Sequence, residues 1–299
     1  MTLPLACALC VALMAVDVVA RAVRLRCFLG GAGARPSLAD VSVAILFGDA
    51  AGATTPMRLG GEPARWVGLM AAGVPAGAGV AVLAVEMVSY FAVVAVAGAA
   101  LAWLAGAEWW AAVGPRLAER AADGVPWLLA VAAASVAAWA WARRSRAGRA
   151  SSAAAAPAAP AAAALRGALG WWPLLVSVPL TVVSVAARIA ILPVLAQTLP
   201  APPSMGVLML GSFTLMYGQL FFPTPGGAGV VELMASAGTA GELGGTAGPV
   251  FLAWRAITTG LPVVLGFGMA VPRYGAAAVR NALRGRPAGQ PRTESVEPG

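Results

Sequence analysis

Histidine is absent from this 299-residue chain, and so is lysine: all 20 basic residues are arginine. Without an imidazole there is no His-based metal site and no histidine general base. The three cysteines, Cys7, Cys10 and Cys27, form no metal-ligand pattern. Charge is also scarce. Only 11% of residues are charged against 60% apolar, and the mean hydropathy is +0.82, which excludes an ordinary soluble domain and a disordered chain alike. There is no paired-aspartate motif of the lipid-phosphate transferases, no Ser or Cys nucleophile elbow, and no glycine-rich nucleotide loop of useful specificity. The expectation is a polytopic membrane protein that is not an enzyme, with no catalytic residue, no metal and no cofactor. The net charge of +8 reads as loop arginines facing anionic lipid, with no nucleic-acid partner. The exclusive use of arginine fits a GC-rich bacterial genome.

What the chain does have is apolar sequence interrupted in two places. The run from Gly211 to Glu232 is broken by Pro223-Thr224-Pro225-Gly226-Gly227, with Gly229 and Glu232 following. Proline removes backbone donors and glycine frees the turn, so no helix runs through. Non-helical backbone at membrane depth is tolerated only inside protein or beside a wet cavity, so the break reads as a site. Between Phe47 and Trp66 the same order recurs: Thr55-Pro56, then Gly60-Gly61, then Glu62. In a chain with 36 glycines and 23 prolines such an echo also arises by chance. Paired interruptions in two halves, however, are the pattern of a transporter-like site at a repeat interface.

Taken in order, Leu3 to Ala20 is long enough to span and is followed by Arg21, Arg24, Arg26 and Arg35, which place its end in the cytoplasm and the N-terminus outside. Val41 to Trp66 reads as a re-entrant hairpin, and Met87 to Ala107 as an outward span ending at Glu108-Trp109-Trp110. Val125 to Ala142 returns to Arg143, Arg144, Arg146 and Arg149. Leu174 to Leu199 goes outward, Met205 to about Ala240 forms the second hairpin, and Val250 to Val271 comes back to a cytoplasmic C-terminus. The predicted fold is therefore all-α, with five to seven spans, two re-entrant hairpins and an inverted repeat. Residues 1–280 make one transmembrane domain, with halves at 1–107 and 174–271, a connector span at 125–142, an Ala/Pro linker at 143–170 and a disordered tail at 287–299.

Eight charges sit in or beside membrane-grade sequence: Asp49, Arg58, Glu62, Arg65, Glu86, Arg188, Glu232 and Arg255. At roughly 3 kcal/mol each they cannot face lipid. Two readings stay open. They are ion pairs that lock helices, or some of the arginines hold a lipid phosphate through their planar forks.

Three stretches, Thr55 to Arg65, Phe221 to Glu232 and Trp254 to Gly266, together resemble the transmembrane region of lysylphosphatidylglycerol synthases and the stand-alone flippase-like membrane proteins related to it. By position, Glu62 and Arg65 match a GGE-x-x-R feature of that family. Pro225, Gly226, Gly227, Gly229 and Glu232 match a PGG-x-G-x-x-E feature, and Arg255 the arginine before an LP-x-x-x-G segment. At Met87, after Glu86, the resemblance leads one to expect a basic residue. In the synthases a soluble aminoacyl-transferase domain follows; here about 28 residues follow the last predicted span, so that activity is not carried over. The resemblance implies a translocator of a polar or anionic (glyco)phospholipid in the bacterial cytoplasmic membrane. Arg58, Arg65, Arg188 and Arg255 would take the phosphate, and Glu62 and Glu232 would balance them or carry a proton. The alternative is a non-transporting scaffold or accessory subunit of an envelope-lipid synthesis enzyme. The partner is a membrane lipid on the first reading and that enzyme on the second.

Overall fold

The computed structural model describes residues 1–147, 158–221, 227 and 247–275, with side chains at 1–115, 162–220 and 248–275. Among the described residues the structure is helical and holds no strand. Helix α1 runs over Leu3–Gly31, α2 over Leu38–Thr54, α3 over Gly61–Ala71 and α4 over Ala76–Ala147. Then come α5 at Ala158–Ala168, α6 at Trp171–Ala196, α7 at Met205–Gly218, α8 at Ala247–Arg255 and α9 at Leu261–Tyr274. A 3-10 turn at Gln219–Phe221 follows α7, and a π-helical turn at Ala256–Gly260 joins α8 to α9. Among the described residues four stretches are long and apolar enough to cross a bilayer: Leu3–Gly31, Ala76–Pro115, Trp171–Ala196 and Gly248–Tyr274. This is a multi-pass membrane protein.

Three apolar clusters hold the helices together. Leu25, Phe28 and Leu29 of α1 meet Val41 and Ile45 of α2, Leu69 of α3, Val82 of α4 and Ala168 of α5. Met14 of α1 meets Ile191 and Leu195 of α6, Leu215 of α7 and Trp254 of α8. Phe47 and Ala51 of α2 pack with Val67 of α3 and Ala270 of α9. Between apolar helices in an apolar solvent, close packing of small residues is a main source of association, and the glycines here serve it. A Cβ on Gly68 would lie 2.8 Å from the Ala44 side chain. One on Gly31 would lie 2.6 Å from the carbonyl oxygen of Gly167.

The helix boundaries differ from the sequence reading at several points. The span expected from Met87 to Ala107 starts earlier: α3 ends at Ala71, Gly73 takes φ +83°, and α4 begins just after Pro75. Helix α1 does not stop at Ala20 but runs to Gly31, so Arg21 and Arg24 are not loop residues. Both are buried, and the orientation argument for the first span keeps only the exposed Arg26 and Arg35. The predicted linker at 143–170 contains helix α5, whose Ala164 and Ala168 share a core with Val82 and Leu83. That packing constrains α4. A straight helix of its 72 residues would measure about 108 Å. Ten residues of chain reach at most about 36 Å, so the helical run must change direction before Ala147 to bring α5 back.

Helices α2 and α3 form a hairpin. Ser37 caps α2 by accepting from the Asp40 backbone N–H at 3.1 Å, and Arg273 at the end of α9 reaches the Asp40 carboxylate. The Ser37 hydroxyl also donates to the Asp40 carboxylate at 2.5 Å, and that bond first, with Arg273 after it, holds the Asp40 carboxyl below the usual carboxylate range. At the other end Thr55 pins the turn: its hydroxyl donates to the Ala51 carbonyl and accepts from the Gly60 N–H, both at 2.8 Å. The first breaker, with Pro56, Gly60 and Gly61, thus reverses the chain. In the second, Pro223, Thr224, Pro225, Gly226, Gly229 and Glu232 lie outside the described residues, as does the tail at 287–299. Gly227 is described. It is buried with φ +70°, a left-handed conformation that L side chains adopt only at a cost.

Candidate functional site

The site begins on α1, where Asp17, Arg21 and Arg24 fall at i, i+4 and i+7 and so share one helix face. Asp17 is fully buried. Its carboxylate takes the Arg21 guanidinium at 2.9 Å, the Ser184 hydroxyl at 2.6 Å and Nε of Arg188 at 2.8 Å. Helix α6 presents Thr181, Ser184 and Arg188 at matching helical spacing toward that face. Asp49 of α2 accepts both Arg21 amines, at 3.0 and 2.6 Å, and Arg188 at 3.3 Å. Asp17, Arg21, Asp49 and Arg188 therefore form one charge cluster that ties α1, α2 and α6 together.

A second cluster surrounds Glu86 of α4, which is buried. One carboxylate oxygen meets Arg24, and the other meets Arg65 of α3 at 2.8 Å. Arg65 also reaches Glu62 at 2.9 Å. Arg24 in turn donates to the Thr181 hydroxyl at 2.8 Å and lies over the Tyr90 ring, 5.0 Å from its centroid. Tyr90 shares a hydrogen bond of 3.0 Å with the Tyr217 hydroxyl, linking α4 to α7.

Between the clusters lies a cavity of about 360 Å³. Arg21, Arg24, Arg58, Arg65 and Arg188 line it, with Asp49, Glu62 and Glu86. Its remaining wall is largely aromatic and apolar: Tyr90, Tyr217 and Met216, and at the rim Met57, Leu59, Met87 and Phe91. Those four rim side chains are between 42% and 69% exposed, whereas Arg21, Arg24, Asp49 and Glu86 behind them are buried. Arg58 enters from the α2–α3 turn, where both Met57 (φ 51°) and Arg58 (φ 56°) are left-handed. Such a conformation costs a non-glycine residue roughly 1–2 kcal/mol. The strain is spent on aiming one arginine inward while its two apolar neighbours, Met57 and Leu59, stay at the mouth.

Residues 2–266 match the family model described as the lysylphosphatidylglycerol synthase TM region. The chain belongs to that family. No curated protein and no solved structure matches it.

Within this family member the expected site residues separate into three groups. Arg58, Glu62, Arg65 and Arg188 come together around the cavity. Arg255, on α8, contacts Thr259 at 3.5 Å and is not among the residues that line the cavity. Glu232 lies outside the described residues. Glu86 is buried between two arginines rather than at an interface, and Met87 supplies apolar rim instead of charge. Among the described residues, no three of His, Cys, Asp or Glu are placed to hold a metal.

Sequence reasoning missed Asp17, Arg21, Arg24 and the Tyr90–Tyr217 pair. A signal existed for the first three. An acid in mid-span, four and seven residues before two arginines, is the spacing of one buried helix face and not of a loop. The tyrosines carried none, because nothing in an apolar run says which hydroxyls will meet across helices.

The described part of the second breaker allows a local test. Gly227→Leu is expected to lower the melting temperature, because it places a bulky side chain on a buried backbone with φ +70°. Gly227→Asn, a residue that tolerates this conformation, is expected to lose less than Gly227→Leu. Equal melting temperatures of both variants and the unaltered protein would show that the fold does not depend on this left-handed turn.

Proposed function

We propose that the chain moves a polar or anionic lipid across the bacterial cytoplasmic membrane, without an aminoacyl-transfer step. One observation carries the reading. An arginine-rich cavity is buried behind a mouth of exposed apolar side chains, which matches a molecule with an anionic head and apolar tails. Head and tails then face surfaces of their own kind: the head meets guanidinium forks, and the tails stay beside Met57, Leu59, Met87 and Phe91. Membership in the family supports it further. In this reading the two breakers are re-entrant tips of an inverted repeat, the N-terminus is outside and the C-terminus is cytoplasmic. The ion pairs are not an alternative to the path. They are what permits Arg21, Arg24, Arg65 and Arg188, each at most 12% exposed, to stand around a cavity at all, since unpaired they would not be tolerated at membrane depth.

The reading is tested on the purified full chain in vesicles containing acyl-chain-labelled lipids, with an impermeant quencher reporting outer-leaflet label. Protein-dependent movement of at least one anionic or glycosylated lipid is expected. If none moves, the translocator fails and a scaffold role for an envelope-lipid enzyme takes its place.

A further inference from the structure

The charged cavity lies between two bodies that are held together in different ways. Helices α2, α3 and α9 form one of them, and their contacts leave no slack. A Cβ on Gly266 of α9 would lie 2.2 Å from the Leu46 carbonyl oxygen of α2, and one on Gly68 of α3 would lie 2.8 Å from the Ala44 side chain. Phe47 of α2 meets Phe267 and Tyr274 of α9, at centroid distances of 6.3 and 5.8 Å. Toward the rest of the protein this three-helix unit makes two unlike contacts. Beside the loops that enter it, Val41, Ile45 and Leu69 pack into the apolar cluster of Leu25, Phe28 and Val82. Toward the α2–α3 turn the contacts that cross are ion pairs, from Asp49 to Arg21 and Arg188 and from Arg65 to Glu86. The cavity opens between these faces. Arg58, Leu59 and Glu62 line it from the unit, and Tyr90, Phe91 and Tyr217 line it from the body opposite.

The chain passes between unit and body three times among the described residues, and each passage interrupts a helix. Two are loops with a left-handed glycine, Gly33 (φ +81°) and Gly73 (φ +83°), and both lie at the apolar end. The third is the π turn at Ala256–Gly260. There the Leu261 N–H closes on the Ala256 carbonyl, five residues back rather than four, and Pro262, which has no N–H, follows. This joint lies at the opposite end of the unit. Helix α9 runs antiparallel to α2, since Gly266 opposes Leu46 while Arg273 reaches Asp40. Following α9 back from Gly266 for about 10 Å brings the π turn level with the end of α2 at Thr54. Before the π turn the span belongs to the body, where Val250, Trp254 and Ile257 share a cluster with Cys10, Ile191 and Leu215. After it the span belongs to the unit.

We propose that α2, α3 and α9 swing as one rigid unit, pivoting at their apolar end and bending at the π turn, and so open and close the charged cavity. The inference rests on the reading of the cavity as a translocation path and names its moving part. Displacement is smallest at the pivot and largest at the α2–α3 turn, which is the level at which the last span carries its joint. A rotation of about 15° on the 17 residues of α2, an arm of about 25 Å, moves the turn by about 6 Å. Ion pairs suit a face that must part. In a buried pair the attraction and the desolvation cost nearly offset each other, so separating both partners into a wet cavity costs far less than removing one of them.

The experiment measures distances between spin labels on the full-length protein in lipid nanodiscs, with Cys7, Cys10 and Cys27 replaced by alanine. Val264 of α9 is paired with Val182 of α6 or with Val88 of α4 to read unit against body, and with Leu59 to read within the unit; all four positions are exposed. At least one of the first two pairs is expected to show two distances about 6 Å apart, and the third pair a single distance. A variant lacking Gly260 and carrying Pro262→Ala lets the Leu261 N–H close an ordinary α turn on Ala256. No contact is lost with Gly260, where a Cβ meets nothing within 4 Å. That variant is expected to show one distance. Should it fail to fold, Pro262→Ala alone is expected to shift the ratio of the two populations by about twofold or more.

Single distances in both unit-to-body pairs overturn the proposal, and so do two distances within the unit. An unchanged ratio in the folded hinge variant overturns the π turn as the joint. Two distances with no lipid moving in vesicles leave the hinge standing and end the translocator; lipid movement with single distances does the reverse.

Discussion

Glu86→Gln is expected to destabilise the protein by about 3–5 kcal/mol, the usual cost of breaking a buried ion pair by removing one partner. The carboxylate is 2% exposed and stands between Arg24 and Arg65. The substitution keeps the shape and removes the charge, leaving Arg24 beside a neutral amide with no other carboxylate within ion-pair distance among the described residues. Arg65 is less affected, because Glu62 remains 2.9 Å away. That asymmetry makes the prediction specific. Adding Arg24→Gln to Glu86→Gln should recover most of the loss, whereas adding Arg65→Gln should not. A cycle of this kind, read by denaturant titration in detergent, isolates the pair from the rest of the network. Against a typical total stability of about 5–15 kcal/mol, the single variant should also be poorly expressed. A loss under about 1 kcal/mol would mean that water reaches Glu86 and that the cluster is solvated.

Gly266→Ala is expected to have the second largest effect. A Cβ there would lie 2.2 Å from the Leu46 carbonyl oxygen and 2.7 Å from the Ala50 side chain, so the new atom meets backbone that cannot rotate away. Helices α2 and α9 must separate, loosening the cluster of Phe47, Ala51 and Ala270. Overpacking of this kind typically costs about 1–3 kcal/mol. The effect should extend to the cavity, because α2 also carries Asp49 and leads into the Arg58 turn. Gly268 provides the control on the same helix, since a Cβ there meets nothing within 4 Å. Gly268→Ala should be neutral or slightly stabilising through its better helix propensity. Equal melting temperatures for the two variants would show that α2 and α9 are not packed as closely as the structure has them.

The sequence alone determined the class of this protein. A chain that is 60% apolar and 11% charged cannot fold around a water-facing surface, and apolar runs of about 20 residues have few stable forms other than spanning helices. It also marked where helices must break, since Pro56 with Gly60 and Gly61 cannot continue one, and the described turn there reverses the chain. The cost of intramembrane charge singled out Arg58, Glu62, Arg65 and Arg188 before any contact was known. Tertiary structure decided which charges belong together. Loop arginines and buried arginines are the same residue in a sequence, so Arg21 and Arg24 passed for a cytoplasmic flank. Only the packing of α1 against α6 and α2 gives Arg21 partners in Asp17 and Asp49, and only α4 gives Arg24 one in Glu86. For Arg255 too the motif groups it with the other site arginines, while among the described residues it contacts Thr259 and is not one of those that line the cavity. Pairing depends on which helix faces meet, and in a lipid solvent that is set by small-residue contacts such as Gly266 against Leu46. Those contacts join positions more than 200 residues apart, a distance over which hydropathy and spacing carry no information.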